Sequence, residues 1–159
     1  MTRDEPSADQ NLQHLHLRCA SAPTGVQMSE IRIYMARAAL TAVLVANMSA
    51  AIPYVFRPAD YVAAYELTGA PGEVVVRGFG LLFLMWAVPF VPAILHPTRN
   101  RVAFACVLAM QVIGLIGESL MLAALPAGHD ALRATGLRFI AFDGIGFILL
   151  LIGYRLSCC

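Results

Sequence analysis

The stretch RFIAFDGIGFILLLIGYR, residues 138–155, carries a single charge, Asp143, between its two terminal arginines. It is far longer than a usual strand of about five or six residues, and it lacks the two-residue alternation of a barrel strand. It is also apolar around its whole circumference, whereas a helix on a soluble protein keeps a polar face. The reading that remains is a helix in hydrocarbon, where a core of about 30 Å is crossed by about 20 helical residues.

Three other stretches repeat the pattern. ALTAVLVANMSAAIPYVF (39–56) lies in a charge-free interval between Arg37 and Arg57, and GFGLLFLMWAVPFVPAIL (78–95) in another between Arg77 and Arg99. From Arg101 to Asp130 the one charge is Glu118. Transmembrane helices are therefore expected over residues 32–55, 74–95, 102–125 and 133–155. HPTRN and LPAGH are tight links that force neighbouring helices antiparallel. The expected fold class is all-α, an integral membrane up-down four-helix bundle of two antiparallel hairpins, with residues 30–157 as the four-transmembrane-helix domain. Between the first two spans, DYVAAYEL reads as a short amphipathic helix at the interface.

Composition agrees. The chain is 59% hydrophobic and 13% charged, with a mean hydropathy of +0.71, against roughly a quarter charged in an average soluble protein. Lipid bilayer is the expected solvent and partner. A net charge of +1 leaves no basic face to track a phosphate backbone, so no nucleic-acid partner is expected.

Residues 1–29 read as a disordered polar tail, with Asp4, Glu5 and Asp9 and few apolar residues. NLQHLHLRCA is too weakly apolar for a signal-peptide core, and Met28, immediately before the first span, is an alternative start. Arginines weigh the topology. With the N-terminus inside, Arg3, Arg18, Arg32, Arg99, Arg101 and Arg155 lie on the cytoplasmic side, against Arg57, Arg133 and the membrane-edge Arg77 outside. The positive-inside rule then puts both termini in the cytoplasm, which would place a bacterial protein in the inner membrane or a eukaryotic one with both ends cytosolic.

The polar residues within the last two spans carry the functional question. In an antiparallel hairpin, residues at one depth have position numbers of constant sum, and a turn centred on Ala127 and Gly128 sets that sum near 255. Glu118 with Arg138, and Gln111 with Asp143, both satisfy it. An unpaired ion in mid-membrane costs about 2.5–3.5 kcal/mol on insertion scales, so pairing is expected. Gln111 and Glu118 are seven apart and share a face, with Gly114 between them leaving room for a neighbour or a ligand. Arg138 and Asp143, five apart, diverge by about 140°. Arg138 is expected to reach Glu118 while Asp143 faces the bundle centre. Laying AVLVANMS over ACVLAMQV sets Asn47 on Gln111 and Tyr54 on Glu118, with Arg77 and Arg138 both early in the next helix; apolar helices align easily, and coincidence is the preferred explanation.

The candidate ligand-binding residues are thus Glu118, Arg138, Asp143, Gln111, Arg77 and Asn47. A structural ion pair fixing helix register is the competing account of Glu118 and Arg138. Ala38, Ala42, Ala46 and Ala50 form a smooth stripe expected to pack closely, Pro89 and Pro92 are expected to bend the second span, and Trp86 to serve packing. His14, His16, His96 and His129 are scattered and no HxxxH or CxxC pair exists, so neither a metal nor a cofactor is implied. Nor is there a nucleophile triad or phosphate loop. Cys158-Cys159 looks like a lipid-modified tail, a minor reading in a chain with four spans.

RGFGLLFLMW, GLIGESLMLAALPAGH and LRFIAFDGIGFILL resemble the BphX-like family of small bacterial membrane proteins, and more loosely the DoxX-like four-helix proteins. The resemblance covers about residues 30–155 and implies a four-helix membrane protein, sometimes encoded beside aromatic-degradation genes, with no catalytic residue to carry over. The expected function is a polar-rimmed intramembrane pocket for a small lipophilic molecule such as a quinone, lipid or aromatic compound. A proton-coupled exporter acting as a homo-oligomer, an intramembrane isomerase and a scaffold subunit are the alternatives; an enzyme is not the favoured reading.

Overall fold

The computed structural model describes residues 25–158, all of them helix, turn or link. Helix α1 runs Gly25–Phe56, α2 Gly69–Ala87, α3 Phe90–Leu95, α4 Arg101–Ala123 and α5 Asp130–Cys158. Four segments are long and apolar enough to cross a membrane: Met28–Phe56, Gly69–Leu95, Arg101–Ala123 and Asp130–Ser157. Most of the expected tail, and the chemistry proposed for Cys159, lie outside the described residues; residues 25–29, expected within that tail, already belong to α1. Residues 25–31 fall apart from the compact unit Arg32–Cys159, which holds everything considered below.

Within that unit the helices alternate in direction. Gly80 of α2 meets Tyr54 and Val55 near the end of α1, while the Arg37 guanidinium, near its start, donates to the Leu95 carbonyl over 2.7 Å at the end of α3. Gly153 of α5 packs on Ala36 and Ala39, and Gly146 on Val43. Among the elements from residue 58 onward, the α4–α5 hairpin is the most extensive contact. A Cβ on Gly80 would come within 2.9 Å of backbone and side-chain atoms of α1, so a side chain there would push the two helices apart. Small residues allow such approach when hydrophobicity supplies no force between helices in lipid.

The α1 face that turns inward is Ala36, Leu40, Val43, Asn47, Ala51 and Tyr54, a run of steps of three and four along one side of a helix. The alanine stripe is therefore not the packing face: Ala38 and Ala42 are exposed and Ala46 and Ala50 line a cavity. The stripe misses because a strict step of four drifts around a helix of 3.6 residues per turn, whereas steps of three and four hold one side.

Pro89 interrupts the second long apolar segment as expected. It has no N–H to continue the ladder, and the Val88 amide donates to Met85 over 3.2 Å in the tighter three-residue pattern before α3 begins. Phe90 and Ala93 of α3 then join Ala36, Leu40, Val43, Phe104, Val107 and Leu150 in the buried core. All of these lie toward the end of the bundle that holds the 96–100 link. The outward faces are apolar, with Phe56, Val102 and Met121 among the most exposed side chains.

At the opposite end the expected amphipathic helix is absent. Residues 58–65 form two 3-10 turns, Pro58–Asp60 and Val62–Tyr65, because Pro58 starts one turn and Glu66, in the left-handed region at φ 55°, stops the next. The Leu67 amide reaches back to the Val62 carbonyl over 3.0 Å and the Glu66 amide to Ala63 over 3.1 Å, the pairing that closes a helix at a left-handed residue. The second turn packs against α5, where Thr135 donates its hydroxyl to the Ala64 carbonyl over 2.8 Å.

Candidate functional site

The buried polar centre is built by α4 and α5. Gln111 and Asp143 are 4% and 3% exposed, and the Gln111 Nε2 donates to Asp143 Oδ1 over 2.7 Å. Each rests on a glycine of the other helix. A Cβ on Gly146 would stand 2.7 Å from the Gln111 amide nitrogen, and a Cβ on Gly114 would collide with the Asp143 carboxylate. Residues 111 and 114 on one helix and 143 and 146 on the other thus interlock one turn apart. The room left by Gly114 is filled by a neighbour, Asp143, and the expected depth match of Gln111 with Asp143 is met by a direct hydrogen bond.

The pair Glu118–Arg138 does not form. Arg138 donates through Nε to the Ala134 carbonyl over 3.3 Å and through Nη2 to the Thr135 hydroxyl over 3.4 Å, both on its own helix. Among the described residues the one ion pair is at the rim, between His129 and Glu66. One geometric fact explains the miss: the glycine contacts give opposed position numbers a sum of 257, so Glu118 and Arg138, at 256, share a depth but not a face. Helical phase then carries Arg138 toward the exposed side, where its guanidinium folds back on the preceding turn.

A cavity of about 270 Å³ opens beside these groups, lined among others by Asn47, Tyr54, Trp86, Glu118, Arg138 and Asp143. The Glu118 Oε2 and Asp143 Oδ2 atoms are buried and have no hydrogen-bond partner. Of the six expected site residues, four line this space. Gln111 supports it through Asp143, and Asn47, though on the wall, gives its amide to the Phe83 carbonyl over 3.0 Å, tying α1 to α2. Arg77 stands apart from it: exposed, its Nε donates to the Val55 carbonyl over 3.3 Å. Its position early in α2 sets it beside the end of α1, and helical phase turns it away from the cavity.

A second cavity of about 520 Å³ is almost wholly apolar, with walls from Leu67, Val75, Phe79, Met121, Leu125 and Leu132. It lies between α2 and the α4–α5 hairpin. Phe83, Glu118, Thr135 and Phe139 border both spaces, so the Glu118 side chain stands at their junction.

Aromatic residues missed in the sequence complete the site. The Tyr54 ring centroid is 4.7 Å from that of Tyr61 and 6.0 Å from those of Tyr65 and Phe83; Phe83 in turn contacts Trp86 and Phe139. Trp86, expected to pack, lines the smaller cavity. The Tyr65 hydroxyl donates to the Tyr54 oxygen over 3.0 Å, and burial followed by that bond raises the Tyr65 phenol well above its ordinary value. The available signal was three tyrosines, 54, 61 and 65, crowded into twelve residues around the first turn.

Above the cavities, the Glu66 carboxylate and the His129 Nδ1 are 2.5 Å apart, joining the 58–66 turns to the 124–129 link. This hydrogen bond lowers the Glu66 carboxyl below its ordinary value, with a further contribution from the Leu132 amide. No family model, curated protein or solved structure matches the chain.

Proposed function

We propose that this chain is a multi-pass protein of the cell's inner membrane, with both termini cytoplasmic, whose cavity binds a small lipophilic molecule. Four apolar crossings and an apolar exterior support the location. The observation that carries the binding role is a pair of buried, unpartnered carboxyl oxygens, on Glu118 and Asp143, in the wall of an otherwise largely aromatic space. Groups of this kind inside a membrane are costly unless something satisfies them, and a few convergent polar groups in apolar walls are the usual makeup of a ligand site. All three stretches that resemble the BphX-like family contribute to that wall, through Phe83 and Trp86, through Glu118, and through Arg138, Phe139 and Asp143. Membership of that family is part of the proposal, and the cavity is the feature its members would share.

The test is mass spectrometry of small molecules retained by the protein in native lipid discs, wild type against Glu118→Gln. A lipophilic species present with the wild type and depleted in the variant is expected. Identical small-molecule profiles would overturn the binding role.

The position of Glu118 on both cavities favours one second reading, a proton-coupled exporter working as a homo-oligomer. A carboxyl facing two chambers is placed to hold a proton and a substrate in turn. A monomer in mild detergent, or flux unchanged in Asp143→Asn, would reject it.

A further inference from the structure

The buried polar atoms of the smaller cavity that lack a partner are of one kind. Asn47 donates to the Phe83 carbonyl, Arg138, on the exposed side, donates through Nε and Nη2 to Ala134 and Thr135, and the Tyr54 oxygen accepts from Tyr65. Among its lining residues the atoms left buried and unpartnered are two carboxyl oxygens from neighbouring helices, Glu118 Oε2 and Asp143 Oδ2, the latter seated against Gly114 on a side chain only 3% exposed. Around them stand the rings of Tyr54, Tyr61, Phe83, Trp86, Phe139 and Phe142.

Acceptors from two helices call for a ligand that donates, and aromatic faces favour a cation over an anion or a neutral carbonyl. A quinone brings oxygen acceptors to these two oxygens and gains nothing from the rings' negative faces. The adjoining space, reached past Glu118, is lined by leucines, Val75, Phe79 and Met121, and suits a hydrocarbon chain.

We propose that the ligand class is a lipophilic amine, its ammonium group donating to Glu118 and Asp143 within the aromatic walls of the smaller cavity and its apolar chain lying in the larger one. This rests on the cavity being a binding site and adds the chemistry of what it takes. Glu118 and Asp143 are the recognition groups; the tyrosines and Trp86 supply the faces.

Trp86 is the only tryptophan in the chain and lines the site, so its fluorescence reports occupancy. Decylamine and decanol, of equal chain length, are titrated into the full chain in discs of uncharged zwitterionic lipid, with empty discs correcting for partition. Decylamine is expected to change Trp86 emission saturably, and Glu118→Gln to weaken it roughly tenfold or more, as loss of a charge-assisted hydrogen bond implies. Decanol is expected to bind more weakly and to be indifferent to that change. Tyr61→Leu, which leaves both carboxyls in place, is expected to weaken decylamine severalfold and decanol little; variants are compared only where their helical circular dichroism matches the wild type. Equal affinity for the two compounds, or decylamine binding unmoved by Glu118→Gln, would overturn the amine assignment while leaving a pocket for neutral lipophiles. If neither compound alters Trp86 emission, the binding reading itself falls with it.

Discussion

The two ends of the bundle are built from the same apolar alphabet and differ in how it is spent. Near the 96–100 link, Phe104, Leu40, Leu150 and Val107 are fully enclosed, and α3 closes against α4. Near the 124–129 link, larger side chains, Tyr54, Phe83, Trp86 and Phe139, enclose two cavities and leave carboxyl oxygens without partners. Large rings do not by themselves make a dense core; ring size sets how far apart the helices stand. The first end supplies stability, and that supply is what permits empty, polar-lined space at the second.

Cutting a ring at each end is the harshest way to break this contrast. Phe104→Ala is expected to cost about 3–5 kcal/mol, as large-to-small changes in enclosed cores do. Phe139→Ala should cost clearly less, since that ring is only partly buried and borders both cavities. Thermal unfolding of both in one detergent decides, and equal losses would erase the distinction between the ends.

Glycines sharpen it next. Gly146→Val drives a branched side chain into the Gln111 amide and is expected to cost about 1–3 kcal/mol. Gly117→Ala, where an added Cβ meets nothing within 4 Å, should instead be neutral or stabilise by up to about 1 kcal/mol. The same melts read both, and the two signs should be opposite.

A smaller effect is expected at the polar centre. Gln111→Leu keeps the volume and removes the donor to Asp143 Oδ1, and leaving that oxygen unsatisfied should cost about 1–3 kcal/mol. If the melting temperature does not move, the pair is not holding α4 to α5.

The mildest test acts on the rim. Because His129 holds the Glu66 carboxyl below its ordinary value, the clasp contributes above the unfolded-state value, about 4.3 for Glu, and that contribution is lost as pH falls through the lower folded-state one. Hydrogen exchange in residues 57–68, corrected for intrinsic rates, should accelerate over that acid window. Glu66→Gln should make it fast and nearly independent of pH in the same range. Unchanged exchange would show that the turns hold without the clasp.

How much of this was legible differs by feature for physical reasons. A run of 16 residues with one charge has few alternative structures, so the four long apolar helical segments and the break at Pro89 could be read directly. The Gln111–Asp143 bond could be read because an antiparallel hairpin constrains depth. The same rule gives depth but not face, and for Glu118 and Arg138 a third of a helical turn decides whether a side chain meets its partner or the outside. Arg77 went wrong for the same reason. The tyrosine cluster escaped because its members meet only once residues 58–65 fold as 3-10 turns, which no periodic pattern announces.

Consider finally what the missing amide at position 89 does. Pro89 belongs to neither cavity wall, yet it marks the point where the second long segment passes from α2, whose Val75, Phe79 and Phe83 border the larger space, to α3, which is seated on α4. The side chains that shape that chamber and those that anchor the segment are therefore carried on separate stretches of hydrogen-bonded ladder, divided by one imino acid.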